Sequence, residues 1–144
     1  MNIIVNGGTR GIGKETALFL AKKEDNTVLV TGRNEDALEQ LGSLATAGRI
    51  ITYPLDISEF DELETAFVKA VSSRLGTVDV LINSAGLLFS KNFTTFTSGE
   101  VRKMMETNFF GPASVIRALL PLMKKGSHII NITSMGGFQG SSKY

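Results

Sequence analysis

Five short apolar runs, each closed by a polar or glycine-rich group, constrain this chain more than any other feature of it. NIIVN (2–6), TVLVT (27–31), IITYPL (50–55), VDVLIN (78–83) and HIINIT (128–133) read as strands. Amphipathic segments separate them. Residues 11–23 form the first predicted helix, with Lys22 and Lys23 suited to the negative end of its dipole. Asn34 caps a second, which buries Leu38, Leu41 and Leu44. Ser58 with Asp61 opens a third in the manner of a capping box, and Phe60, Leu63, Phe67 and Val71 make its apolar face. Thr97 and Glu100 cap a long helix over 98–124, whose stripe runs Val101, Met105, Asn108, Pro112, Val115, Leu119, Leu122. On that spacing Met104 and Met105 belong to the core, and Lys124, Lys125 and Gly126 supply a basic last turn and a glycine stop. Pro54 has no N–H to give, so it is expected at a strand end or a sheet edge.

Strands alternating with helices call for an α/β fold, a doubly wound parallel sheet covered on both faces, in one domain over residues 1–144. Composition agrees. Hydrophobic residues make up 42% and charged residues 20% of the chain, with a net charge of +1 and no cysteine. That balance offers nothing to a nucleic-acid backbone and excludes disulfides and thiolate metal sites. No metal site is expected. With a strand at residue 2 and no apolar run of membrane-spanning length, neither a signal peptide nor a membrane partner is expected, and the location expected is cytoplasmic.

Parallel sheets bind ligands beyond the carboxyl ends of their strands, and there the polar signals collect. The first strand leads into Gly7-Gly8-Thr9-Arg10-Gly11-Ile12-Gly13, the second into Gly32-Arg33 and the third into Asp56. The fourth gives Asn83-Ser84-Ala85-Gly86 and the fifth Thr133-Ser134. Each alone is ordinary turn chemistry; five at one edge point to a nucleotide. A triphosphate loop is nearly spelled by Gly8-x4-Gly13-Lys14, but Glu15 stands where a magnesium-binding hydroxyl belongs. The strict GxGxxG dinucleotide spacing is absent too. The spacing present, GxxxGxG over Gly7, Gly11 and Gly13, still brings backbone N–H groups and a helix N-terminus to a pyrophosphate. Arg33 lies 20 residues beyond Gly13, where dinucleotide folds read the adenosine ribose. A carboxylate there holds a free 2′-hydroxyl, whereas an arginine accommodates a 2′-phosphate. Arg10 adds charge from the glycine turn, so NADP(H) is preferred over NAD(H), and the missing carboxylate also argues against a methyltransferase.

As a set, NGGTRGIG, TGR, LDIS, NSAG, the asparagine of METNFFG and INITSMGG resemble the short-chain dehydrogenase/reductase family, in its order and spacing and over essentially the whole chain. The resemblance implies a Rossmann fold and hydride transfer between a nicotinamide and a small-molecule carbonyl or alcohol. By position it implies that Gly7, Gly11, Ile12 and Gly13 line the pyrophosphate and adjoining ribose, with Arg10 and Arg33 at the 2′-phosphate. Asp56 and Ile57 would contact adenine, and Asn83, Ala85 and Gly86 would wall the cleft. Ser134 matches the catalytic serine, and Asn108 the helix asparagine that supports a proton-relay water. Two departures stand out: Asn6 replaces a threonine, and Ser84 replaces the second asparagine of an NNAG signature.

A hydrolase reading of Ser134 fails. The sequence before Ser134 lacks the first glycine of a nucleophile elbow, and His128, six residues earlier on the same strand, lies about 20 Å away by strand rise. The family's acid/base pair, a tyrosine followed four residues later by a lysine, is not found: Tyr144 comes ten residues after Ser134 and Lys143 precedes it. The chain is therefore expected to be incomplete at its C-terminal side and inactive alone, its parent an enzyme. A non-catalytic dinucleotide-binding module is the alternative. Two further expectations concern association: the fifth strand lies unpaired at the sheet edge, and the apolar surface of the long helix makes the parent a homodimer or homotetramer.

Overall fold

A computed structural model of the chain describes residues 1–44, 49–59 and 63–136. Five parallel strands form one sheet in the order β3-β2-β1-β4-β5: β1 Asn2–Asn6, β2 Thr27–Gly32, β3 Ile50–Pro54, β4 Val78–Asn83 and β5 Met123–Asn131. The chain runs outward from β1 to β3 and then crosses back to β4, so the order reverses between β1 and β4, the place where such sheets open a crevice. Pro54 ends β3 on the outer edge of the sheet, where a missing N–H costs nothing.

The strands are apolar on both faces because both faces are covered. Ile4, Leu29 and Leu81 share one register row and face one way, against Phe67, Val71, Val115 and Leu119. Ile3, Val5, Val28, Val30 and Ile82 face the other way, against Ala17, Leu38 and Leu41. The first set of helical residues comes from α3 (Val68–Leu75), which follows a wide π turn over Leu63–Phe67, and from α5 (Gly111–Leu119). The second comes from α1 (Gly11–Leu20) and α2 (Glu35–Leu44). Each such aliphatic side chain contributes roughly 1.5–3 kcal/mol on burial, which makes the two layers the main source of stability.

Several local predictions hold. Asn34 caps α2, its side chain accepting from the Ala37 N–H at 2.8 Å. Thr97 and Glu100 form a reciprocal capping box on α4 (Ser98–Met105). The proposed cap of Ser58 on Asp61, together with Phe60, lies outside the described residues.

Others are corrected. Helix α1 stops at Leu20, so Lys22 and Lys23 fall in the turn beyond it rather than in its last turn. Leu44 is 61% exposed rather than buried. The long helix runs to Leu122 but not at one period: a π turn over Glu106–Phe110 lies between α4 and α5 (Gly111–Leu119). A wide turn adds a residue and slips the phase of everything before it. The buried row is therefore Thr107, Gly111, Val115 and Leu119, while Val101 and Met105 are exposed and Met104 only half-buried. Neither methionine is core.

The basic end of that helix is corrected too. The helical path closes at Leu122, and Lys124, Lys125 and Gly126 lie within β5, which starts at Met123 rather than 128 and ends at Asn131 rather than 133. Between the Val78–Met123 and Val80–His128 pairs the β5 side carries extra residues. They loop out with Gly126 at φ 95°. The Ser127 hydroxyl fastens the loop, donating to the Val78 carbonyl at 2.9 Å and accepting from the Lys124 N–H at 3.1 Å.

Candidate functional site

At the reversal point a cleft of about 420 Å³ opens over the carboxyl ends of the strands. Its lining includes Gly7, Arg10, Gly11, Ile12, Arg33, Asp56, Ile57, Ala85 and Gly86, nine of the residues singled out by position. Gly13 and Asn83 are buried beneath it rather than on its surface. Ser134 and Asn108 are not among its lining residues.

The floor of the cleft is a chain of side-chain hydrogen bonds across four strands. Thr31 on β2 donates to Asn6 on β1 at 2.9 Å, Asn6 donates to Asn83 on β4 at 3.3 Å, and Asn83 donates to Asn131 on β5 at 2.9 Å. The register makes this possible, since Asn6 pairs with both Thr31 and Asn83, and Asn83 with Asn131. Asn6, Thr31 and Asn83 are fully buried, so every link satisfies a group that would otherwise be costly. Asn6, the departure noted in the sequence, keeps this position polar: its amide accepts from Thr31 and donates to Asn83, joining β2 to β4 through β1.

The glycine turn is packed shut on its protein side and open toward the cleft. Gly7 sits at φ 80°, and a Cβ there would lie 2.5 Å from the backbone of Ala85. A Cβ on Gly13 would lie 2.4 Å from the Gly7 carbonyl oxygen. Gly11 differs: at φ 55° it has nothing within 4 Å of a would-be Cβ. The turn feeds α1, whose first N–H groups have no partners within the helix and whose first turn carries no acid. An anion is thus favoured at this position. An unobstructed backbone, helix amides and two cations, Arg10 and Arg33, suit the pyrophosphate and phosphate groups of a dinucleotide.

At the far end of β2, Arg33 Nη1 lies 3.6 Å from Asp56 Oδ2. Asp56 in turn accepts from the Ser58 N–H at 3.0 Å and the Ser58 hydroxyl at 2.7 Å. Partial burial acts to raise the Asp56 pKa, but the Ser58 hydrogen bonds and the Arg33 charge outweigh it and hold the carboxyl below its ordinary value.

On the β4 side, Asn108 uses both ends of its amide on one residue. It accepts from the Leu87 N–H and donates to the Leu87 carbonyl, each at 2.7 Å. Although it falls in the apolar stripe drawn from the sequence, Asn108 is exposed, and its partner is main chain. Further along, Lys91 donates to Glu100 at 2.6 and 2.7 Å and sits 5.2 Å from the Phe96 ring. The segment after β4 is thus tied down at two points, by Asn108 of the π turn and by Glu100 of α4. Ser134 lies beyond β5, exposed, its hydroxyl accepting from the Gly136 N–H at 3.1 Å.

Sequence reasoning missed Thr9, Leu55 and Thr107 in the lining. It also missed Gly111, where a Cβ would come within 2.8 Å of the Ile57 side chain. A glycine one turn past an expected functional asparagine was the available signal for that close approach. Among the described residues no cluster of carboxylates or histidines is placed to hold a metal ion, and no helix is long and apolar enough to cross a membrane.

Comparison with known proteins gives one consistent result. The family model described as short chain dehydrogenase matches residues 1–144. A ketoacyl reductase, HetN, from Nostoc is 33% identical over 142 residues, which are 96% of this chain and 49% of that protein. A short-chain dehydrogenase structure from Streptomyces avermitilis superposes with a TM-score of 0.88 at 33% identity, covering 99% of this chain and 52% of the other. The actinorhodin polyketide ketoreductase with NADPH gives a TM-score of 0.88 at 32% identity, over 99% of this chain and 56% of that one. The chain therefore spans about half the length of the proteins it matches.

Proposed function

The chain belongs to the short-chain dehydrogenase family, and from that premise we propose that it is the cofactor-binding part of an NADP(H)-dependent oxidoreductase acting on a carbonyl or alcohol. The observation that carries the cofactor choice is Arg33, a cation at the end of β2 lining the cleft, with no acidic residue adjacent to it in sequence. NADPH bound in the actinorhodin ketoreductase structure supports a nicotinamide cofactor for the same fold.

When bound, the cofactor supplies or accepts a hydride at its nicotinamide. The protein's part is placement. In this reading Gly7, Gly11, Ile12 and Gly13, with the α1 N-terminus, hold the pyrophosphate and adjoining ribose, while Arg10 and Arg33 bind the 2′-phosphate. Asp56 and Ile57 bound the adenine, and Asn83, Ala85 and Gly86 form the wall toward the reacting end. Ser134 is the proposed hydrogen-bond donor to the substrate oxygen. Asn108 acts through Leu87, fixing the segment that follows Gly86; its support of a relay water rests on the family resemblance alone. Proton transfer falls to a tyrosine and lysine pair not found in these residues, and such a pair contributes about 10² to 10⁴-fold to rate. We further propose a cytoplasmic homodimer or homotetramer, associating through the exposed Met105, Phe109, Phe110 and Leu120 surface; a monomer in sedimentation of the full-length protein would refute this.

The test of the cofactor reading is the ratio of kcat/KM for NADPH over NADH in the full-length protein. It should favour NADPH, and Arg33→Asp should flatten or reverse it. Equal use of both cofactors by the unmodified protein would end this assignment.

A further inference from the structure

Arg33 does not stand alone at the ribose end of the cleft. The Asp56 carboxylate facing it is itself anchored, because Ser58 donates twice to the oxygen that Arg33 does not approach. A cation placed to meet a doubly charged phosphate thus already faces an anion. The two side chains sit together at the rim, bordering both the main cleft and a smaller hollow of about 350 Å³ that Glu35, Pro54 and Leu55 complete.

We propose that Asp56 is a specificity-determining residue that competes with the 2′-phosphate of the cofactor for Arg33 and so holds affinity for 2′-phosphorylated nucleotides below what Arg33 alone would give. The inference rests on the NADP(H) reading of the cleft and extends it. Two opposing effects have to be weighed. An anchored carboxylate pre-orients the guanidinium, which helps the phosphate; it also occupies and repels, which hinders it. The contact is a single one at 3.6 Å between side chains 55% and 32% exposed, so it does little to immobilise Arg33. Exposed pairs of this kind shift an equilibrium by no more than about fivefold. Repulsion between the carboxylate and a dianionic phosphate acts in the same direction as the competition. Competition therefore outweighs pre-orientation.

The test is calorimetric titration of the full-length protein with adenosine 2′,5′-bisphosphate and with 5′-AMP, probes that differ only in the 2′-phosphate. The affinity ratio of the two isolates that group, since contacts to adenine and to the 5′-phosphate cancel. Asp56→Asn keeps the acceptor for Ser58 and removes the charge; it should raise the ratio about threefold to tenfold. Arg33→Met should lower the ratio sharply, leaving Arg10 alone to meet the phosphate, and adding Asp56→Asn to it should then raise the ratio by clearly less than in the unmodified protein, because only the direct repulsion is left to remove. An unchanged or lower ratio in Asp56→Asn, with Arg33→Met still collapsing it, would overturn the proposal and leave the NADP(H) reading standing. So would an equal rise in the Arg33→Met background, which would signal a general field effect. A ratio untouched by Arg33→Met would instead overturn the NADP(H) reading itself, and the competition with it.

Discussion

The two corners of the sheet's carboxyl edge are built by opposite means. Where β1 meets β2, backbone does the work: the Gly7 and Gly8 N–H groups both donate to the Thr31 carbonyl at 3.0 Å, and the glycines leave room for nothing else. Where β4 meets β5, the strands pair closely but the outer one lies open to solvent. The side chains of Ile129, Ile130 and Ile132 are exposed, and Ser134 answers only to its own turn. The first corner is fixed by local packing before any ligand arrives. The second is the sheet edge among the described residues, held to β4 by its strand pairing, the Asn83–Asn131 bond and the Ser127 clasp. Recognition of the cofactor can thus be read from this chain, whereas the geometry of the reacting end depends on contacts the described residues do not supply.

The sharpest way to break that contrast lies inside the glycine turn. Gly7→Ala forces a Cβ onto the Ala85 backbone at a positive φ, and should cost roughly 2–4 kcal/mol of stability in urea unfolding. Gly11→Ala meets no atom, so it should cost only about 1–2 kcal/mol, from the left-handed backbone alone. Its larger effect should be on NADPH affinity, because the new methyl points into open space at the cleft. Equal stability losses for the two would show that the turn is not packed as described.

A second comparison sets the middle of the polar ladder against its end. Asn83→Ala removes two hydrogen bonds and leaves Asn6 partly unsatisfied in a buried place, which should cost roughly 1–3 kcal/mol. Asn131→Ala cuts the same chain where water can replace the partner, and should cost about 0.5–1.5 kcal/mol. Denaturant midpoints for the pair give the order directly; a greater loss at Asn131 would mean that β5 is the better-ordered corner.

These differences also explain how much the sequence disclosed. The strands, the Asn34 cap and the Thr97–Glu100 box were legible because they depend on short-range chemistry. So was the gathering of Gly7, Arg33, Asp56 and Ala85 in one cleft, since parallel strands must end at the same edge. The π turn over Glu106–Phe110 was not legible, because a stripe drawn at constant helical period carries no sign that one turn is wide. The early start of β5 was hidden by Lys124, Lys125 and Gly126, which look like a helix end but serve a looped-out bulge. The Arg33–Asp56 pair needed the β2–β3 register, which places Gly32 opposite Pro54.

The smallest effect expected is at the segment after β4. The Lys91 ammonium, with help from the Thr97 N–H and hydroxyl, lowers the Glu100 pKa from 4.5 to about 2. A depressed carboxyl pKa adds stability above its unfolded value and loses it as pH falls toward the folded one. The thermal midpoint should therefore decline between pH 4.5 and about 2, and less steeply in Glu100→Gln than in the unmodified protein. Identical slopes would show that the Lys91 tie is not made in solution.

The most direct measurement is a crystal structure of the full-length protein with NADPH bound. The pyrophosphate should accept hydrogen bonds from the first amides of α1 beside Gly11 and Ile12, with the 2′-phosphate on the Arg33 guanidinium and the β1–β2 corner unmoved. A pyrophosphate held elsewhere, or a 2′-phosphate turned away from Arg33, would contradict the account.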